Sequence, residues 1–227
     1  MGLDWKTLSK AKQGYDKEHK KIYTKLIQNT LTEQERNIFF EKLSTIEIDA
    51  YQTIGVPQCG IDKEATEYVT NDYLENKDLF DYPTLEDFLN AHKGTYLISL
   101  LKYNTDWGFP RYQGPFNQNR SDIFRAQFLI DDCYDLLPKH VQTLLYKPLF
   151  SEDLNKLGIS LKKIAFAYGK KNKLYGMHKF SFKLPKVNVH IPKTEMKTPE
   201  SNFHIIYSAY KWCEFWSDKG HGMAPDY

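Results

Sequence analysis

The segment 107–137, WGFPRYQGPFNQNRSDIFRAQFLIDDCYDLL, constrains the fold most, because it joins a long loop to the most regular apolar pattern in the chain. Residues 104–120 have no periodicity, and a loop of that length inside a compact domain is often functional. Ser121 is a preferred helix N-cap, and Pro138 marks the helix end. The spacing predicts a helix whose inward stripe is formed by Phe124, Phe128, Leu129, Cys133 and Leu136.

Helical patterns occupy most of the remaining sequence. A capping box formed by Thr32 and Glu35 predicts a helix start, and Asp62, Thr84 and Ser151 are further start signals. Helices are predicted over 16–28, 32–43, 62–76, 84–91, 138–146, 151–168 and 199–219. The last of these carries a continuous apolar stripe of Ile205, Ala209, Trp212, Cys213 and Trp216.

Two segments are more typical of β-structure. Residues 95–103, TYLISLLKY, form a short apolar run after a glycine, with a helix as the alternative because Leu100 and Leu101 do not favour a strand. Apolar residues also alternate strictly within 180–191. We therefore expect an α+β fold that is predominantly α-helical, with a single helical core and a small β-sheet or ribbon. A single domain is expected over 1–227, with 169–197 as a basic extended or ribbon lobe.

Charge is unevenly distributed, although the formal net charge is only +2. Residues 162–197 contain ten lysines and one acid, whereas residues 26–161 carry a formal charge of −9. In the basic lobe, aromatic side chains are interleaved with Lys170, Lys171, Lys173, Lys179 and Lys183. Lysines interleaved with aromatic residues are typical of single-stranded nucleic-acid surfaces. The alternatives are a half-buried ribbon with a solvated lysine face, or a basic patch that docks on the acidic body.

Arginine is clustered, since three of the four arginines lie between positions 111 and 125. The guanidinium group recognises carboxylates and phosphates in a planar bidentate manner that lysine cannot supply. Placed before a helix N-terminus, these groups predict an anion site. Its ligand-binding residues would be Trp107, Arg111, Tyr112, Arg120 and Arg125. The alternative is an ordered surface loop whose arginines pair with the acidic body.

Three aspartates, Asp131, Asp132 and Asp135, follow on the predicted central helix. Asp131 and Asp135 are four residues apart, so both would share one helical face and could hold Mg²⁺ with water ligands. A solvated acidic face, or a pairing of Asp132 with Arg125, is the alternative.

Signatures of familiar enzymes are absent. The sequence contains no P-loop, GxGxxG, GxSxG or HExxH motif, and no CxxC pair. Its three cysteines are widely spaced, which predicts free thiols in a reducing compartment. No secretory signal or membrane-length apolar run is present, so we expect a cytoplasmic protein without membrane association and without a cofactor.

The opening MGLDW, the central FRAQFL and the closing KWCEFW…GHG resemble an uncharacterised family of bacterial cytosolic proteins. The resemblance covers the whole chain and implies no activity for any residue. From the residues, we expect a non-catalytic intracellular binding or interaction protein that recognises a protein partner or an anionic ligand. The alternative is a nucleic-acid-binding protein or metal-dependent phosphodiesterase that uses the lysine-rich lobe and the aspartates.

Overall fold

A computed structural model describes residues 2–28, 31–101, 112–113, 119–174 and 198–226. The chain divides into two compact units. The first unit contains the described residues up to Ala50 and from Ser121 onwards, and the second contains Tyr51–Thr105 and Tyr112–Arg120 as far as they are described. The expectation of a single domain over 1–227 stays a prediction.

Helices predominate, and the predicted α+β class is confirmed. The described residues form nine α-helices: α1 (Asp16–Ile27), α2 (Glu33–Ile46), α3 (Ala50–Thr53), α4 (Lys63–Glu75), α5 (Leu85–Ala91), α6 (Gln127–Asp131), α7 (Lys139–Leu144), α8 (Ser151–Lys171) and α9 (Pro199–Ser217). Their strands are β1 (Asp4–Leu8), β2 (Lys10–Ala11), β3 (Glu47–Ile48), β4 (Tyr112–Gln113), β5 (Asn119–Arg120), β6 (Ile123–Phe124) and β7 (Gly222–Asp226).

Side-chain caps fix several helix starts. Thr32 and Glu35 form the predicted capping box of α2, and the Thr84 hydroxyl accepts a hydrogen bond from the backbone of Asp87 in α5. Thr198 and Ser201 form a second box at the start of α9. Each box satisfies backbone donors that a helix N-terminus otherwise leaves unpaired.

The first unit is built on a three-stranded antiparallel sheet of order β6-β1-β7, against which α9 contributes buried tryptophans. Trp5 of β1 is completely buried, lies 5.9 Å from the ring of Trp212, and donates its indole N–H to the carbonyl of Leu145 at 2.9 Å. Because β1 is the central strand, its one inward tryptophan joins the sheet to the helical core.

Two glycines of α8, Gly158 and Gly169, lie in tight contact with α9. A Cβ atom on Gly158 would lie 3.0 Å from the Cβ of Cys213, and one on Gly169 would lie 2.9 Å from the ring of Phe203. Both glycines have a low helix propensity, but the absence of a side chain at these positions permits the close packing of α9.

The second unit has its own small core. Helices α4 and α5 enclose the buried residues Cys59, Ala65, Val69, Tyr73, Phe88 and Leu97. Tyr73, Phe88 and the partly buried Phe80 and Tyr82 form a cluster of aromatic contacts around the same core. Aromatic burial of this kind gives the short α4–α5 pair its stability.

The strand predicted over 95–103 does not form within the described residues 95–101. Within 95–101, Tyr96 makes one isolated bridge to Gln58, and Ile98–Leu100 form a 3₁₀ turn instead of a strand. The sheet uses β1 and β7, which pair from distant parts of the chain, and β7 has no local strand signal because it contains glycine and proline. The predicted ribbon at 180–191 lies outside the described residues, as does the lobe 169–197 beyond Leu174.

The predicted helix start at Ser121 was also wrong. Ser121 precedes strand β6, and helix α6 begins only at Gln127. The Ser121 carbonyl accepts indole N–H groups from Trp212 and Trp216, which holds this segment against α9. Of the predicted inward stripe, Phe124, Leu129 and Cys133 are buried, whereas Phe128 is 36% exposed and Leu136 is half-buried.

Candidate functional site

One side of α8 presents lysines and apolar side chains together. Ile159, Lys162, Lys163, Phe166 and Lys170 recur at three- and four-residue spacing, so they share one helical face. Ile159 is 46% exposed and Phe166 is 40% exposed. Residues 154–174 contain six lysines and no acidic residue. Ile159, Lys162, Lys163, Phe166 and Lys170 are termed the basic α8 face.

Aromatic residues of α9 continue this face. The Phe166 ring lies 6.1 Å from that of Tyr207, which lies 5.4 Å from that of Tyr210. The ammonium groups of Lys162 and Lys211 lie 4.9 and 5.3 Å from the centre of the Tyr210 ring. Both distances are within the range of cation–π attraction, so the lysine stems are held against an aromatic row.

Glu214 is the one acidic group in this network of described residues. Its carboxylate accepts hydrogen bonds from the Tyr210 hydroxyl at 2.7 Å and from the Lys211 ammonium at 2.6 Å, and lies 3.8 Å from Lys162. No ion pair within the described residues involves Lys163 or Lys170, and both are exposed.

The protonation states in this network follow from the same contacts. Burial alone would raise the pKa of Glu214, but the hydrogen bonds from Lys211 and Tyr210 and the nearby lysine charges lower it. Burial and the bond to Glu214 raise the pKa of the Tyr210 phenol. The Glu214 side chain is therefore a carboxylate and the Tyr210 side chain a neutral phenol near neutral pH, and this carboxylate already contacts part of the basic surface.

The predicted arginine site is described only in part. Trp107 and Arg111 lie outside the described residues, while Tyr112 and Arg120 are paired opposite each other in the β4–β5 ribbon. Arg125 belongs to the first unit and forms an ion pair with Asp4, with 2.5 Å between Nε and Oδ1. Ligand binding by these five residues stays a prediction.

The three aspartates do not lie on one helix. Asp131 is the last residue of α6, Asp132 lies in a turn, and Asp135 lies in the 3₁₀ turn Tyr134–Leu136. Asp131 accepts a hydrogen bond from the Gln127 amide at 2.8 Å. Among the residues that the structure describes, no three His, Cys, Asp or Glu side chains are grouped so that they could hold a metal ion. The one-helix geometry on which the metal alternative depended was therefore wrong.

The structure describes three of the five predicted nucleic-acid residues. Lys170 and Lys171 lie in the last turn of α8, and Lys173 follows it with a positive φ of 58°. All three side chains are exposed. Lys179 and Lys183 lie outside the described residues.

All three thiols are free and buried, as expected for Cys133 and Cys213. Burial raises the pKa of Cys133 to about 12 and also raises the pKa values of Cys213 and Cys59. A nucleophilic cysteine requires a thiolate at neutral pH, so these environments do not support thiol catalysis.

Comparisons with known proteins give no family. No protein-family model matches the chain, and searches of curated proteins and of solved structures find no significant match. Within the part of the chain that the structure describes, no helix combines the length and apolar character needed to cross a membrane.

Apart from Lys170, the residues of this surface were not among the site residues predicted from the sequence. The spacing of Ile159, Lys162, Lys163 and Phe166 was visible, because these residues lie opposite the inward stripe of α8. The contribution of Tyr207, Tyr210 and Glu214 depends on how α8 and α9 pack, and no local pattern carries that information.

Proposed function

We propose that this chain is a non-catalytic cytoplasmic binding protein that recognises an acidic segment of a protein partner through the basic α8 face. The observation that carries the proposal is the exposure of Phe166 and Ile159 among lysines with no acidic residue in 154–174. An acidic partner with apolar side chains satisfies both features of this surface. The buried thiols support the non-catalytic part of the proposal and its reducing compartment.

The two kinds of side chain would have different roles. Phe166 and Ile159 would provide the apolar contact area that anchors a partner, since aromatic side chains often dominate binding energy. Lys163 and Lys170 would orient the partner and accelerate its association. Glu214 supports the choice of a carboxylate partner, because its own carboxylate binds between Lys162 and Lys211.

The test uses a fluorescein-labelled helical peptide with two leucines, placed one heptad apart and flanked by glutamates, as the probe. Binding is measured by fluorescence anisotropy for the wild type, for Lys163→Glu/Lys170→Glu and for Lys139→Glu/Lys147→Glu. All four lysines are exposed. Each variant replaces two lysines by glutamates, so both change the net charge by the same amount. We expect the α8 variant to weaken binding at least about tenfold, and the control by less than about threefold. Equal weakening in both variants would show that binding depends only on the net charge of the protein, which would contradict the proposal.

Nucleic-acid binding is a second candidate, favoured by Lys170 and Lys171 in the last turn of α8 and Lys173 just beyond it. Single strands bind to lysine-rich grooves with aromatic stacking platforms, and Phe166 offers one exposed ring. The discriminating experiment is the affinity for a labelled thymidine oligonucleotide as a function of salt. A steep logarithmic salt dependence together with a loss on Phe166→Ala would favour this candidate over the acidic peptide.

A further inference from the structure

A second helix of the same protein has a surface complementary to the basic α8 face. In α4, Glu64, Glu67, Tyr68, Asn71 and Glu75 occur at offsets of 0, 3, 4, 7 and 11. The residues of the basic α8 face have the same offsets. Both sets therefore form a stripe about 16 Å long on one side of a helix. These five α4 residues, together with the adjoining Leu74, are termed the acidic α4 face.

The charges of the two faces are opposite in sign. The α8 stripe contributes three lysines, and the α4 stripe contributes three glutamates. Residues 51–101 contain nine acidic residues and three lysines, so the surroundings of the α4 stripe are acidic as well. At an interface, such complementarity selects the partner and its orientation.

Apolar side chains are exposed on both faces. On α4, Leu74 is 64% exposed and Tyr68 is 36% exposed. They correspond in character to Phe166 and Ile159 on α8. Two helices with apolar residues along one stripe and opposite charges beside it have the composition of a helix–helix interface.

We infer that the acidic segment bound by the basic α8 face is the acidic α4 face of a second copy of this chain. The inference rests on the proposed function, because both use the same α8 surface. If each copy presents both faces to the other, two identical contacts form and the assembly closes as a symmetric dimer. Two contacts between short helices bury less than about 1,200 Å², which is characteristic of weak and salt-sensitive association.

The test is the native mass of the full chain, measured by sedimentation equilibrium at about 50 mM and about 500 mM NaCl, because salt at the higher concentration screens exposed charges strongly. We expect a dimer at low salt and a monomer at high salt. Lys163→Glu/Lys170→Glu and Glu67→Lys/Glu75→Lys should each weaken dimerisation at least about tenfold at low salt. The control Lys139→Glu/Lys147→Glu should remain a dimer. A wild type that is monomeric at low salt would overturn the inference.

Mixing the two charge-reversed variants tests directly whether α8 of one copy contacts α4 of the other. The acidic α8 of one variant then meets the basic α4 of the other, and the remaining native faces also match, so a heterodimer should form. Restoration on mixing also shows that each variant is folded. Failure to restore a dimer, with both variants folded by circular dichroism, would overturn the inference.

If the wild type is monomeric but its α8 variant loses the acidic probe peptide, only the second-copy inference fails. If the α8 variant retains that peptide as well, the proposed function fails with it.

Discussion

The indole N–H of Trp212 donates a hydrogen bond to the backbone carbonyl of Ser121 at 2.9 Å, and both residues are completely buried. Trp216, one turn further along α9, donates to the same carbonyl at 3.0 Å. One acceptor thus joins the segment before β6 to two successive turns of the closing helix. Buried carbonyls of this kind are costly to leave without a donor.

This shared acceptor predicts that the two tryptophans are energetically coupled. Trp212→Phe and Trp216→Phe should each lower the free energy of unfolding by roughly 1–3 kcal/mol, because one donor and some packing are lost. The double variant should lose about 1 kcal/mol more than the sum, because the Ser121 carbonyl then loses both indole donors. Urea denaturation of all four proteins measures this coupling, and strictly additive losses would contradict it.

A second prediction concerns the contact between α8 and α9. Glycine to alanine in a helix normally stabilises by about 1 kcal/mol. At Gly158 the new Cβ would lie 3.0 Å from the Cβ of Cys213, an atom that can move only with the α9 backbone. Gly158→Ala should therefore lower stability by roughly 1–3 kcal/mol. Thermal unfolding should show this loss of stability, whereas the control Ser160→Ala on the same helix should be close to neutral. A stabilised Gly158→Ala would contradict the prediction, because α8 and α9 could then move apart without a loss of stability.

The spacing rules predicted each of these two helices correctly from the sequence, although not their packing against each other. The inward residues of α8 and the tryptophans of α9 recur at helical spacing, so local periodicity was enough. The sheet is different, because β1 pairs with β7 from the opposite end of the chain. The β7 sequence GMAPD contains glycine and proline, which disfavour a strand, so only tertiary pairing explains its conformation.

The candidate site was predictable to a smaller extent. The lysines at the end of α8 were visible as a basic run, and three of the five nominated lysines are exposed there. The cation–π contact of Lys162 with Tyr210 joins two helices, and its geometry is created only when they pack. For the aspartates, the sequence predicted a shared helical face that does not form, because α6 ends at Asp131.

A third prediction follows from His221, which is completely buried and bonded through Nδ1–H to the carbonyl of Leu8 at 2.9 Å. Burial lowers its pKa to about 4; the bond to Leu8 opposes this shift, while Lys10 and Lys219 add to it. Because the folded pKa lies below the unfolded value of about 6.5, the neutral imidazole stabilises the fold fully above that pH. Stability should fall by on the order of 2 kcal/mol as the pH decreases from about 6.5 towards about 4.

The measurement that checks this effect is urea unfolding across that pH range for the wild type and His221→Asn. The asparagine amide can replace the Nδ1–H donor but does not titrate, so its pH dependence should be flatter. Identical slopes for the two proteins would assign the acid sensitivity to carboxylates elsewhere.

A fourth prediction tests Glu214 as an internal competitor of an acidic partner. Glu214→Gln removes the negative charge beside Lys162 and Lys211 but retains an acceptor for the Tyr210 hydroxyl. Affinity for the acidic probe peptide should increase by about three- to tenfold, with a loss of stability below about 1 kcal/mol because the group is partly solvated. Fluorescence anisotropy gives the affinity, and weaker binding would indicate that Glu214 helps to form the surface.

The most direct test of the account compares two exposed phenylalanines in their affinity for the acidic probe peptide. Phe166 lies on the basic α8 face at 40% exposure, and Phe128 lies on α6 at 36% exposure. If the basic α8 face is the binding surface, Phe166→Ala should weaken the peptide at least about tenfold, while Phe128→Ala should leave its affinity within about twofold. Equal affinities for the two variants would contradict the central claim, because binding would then depend on lysine charge alone.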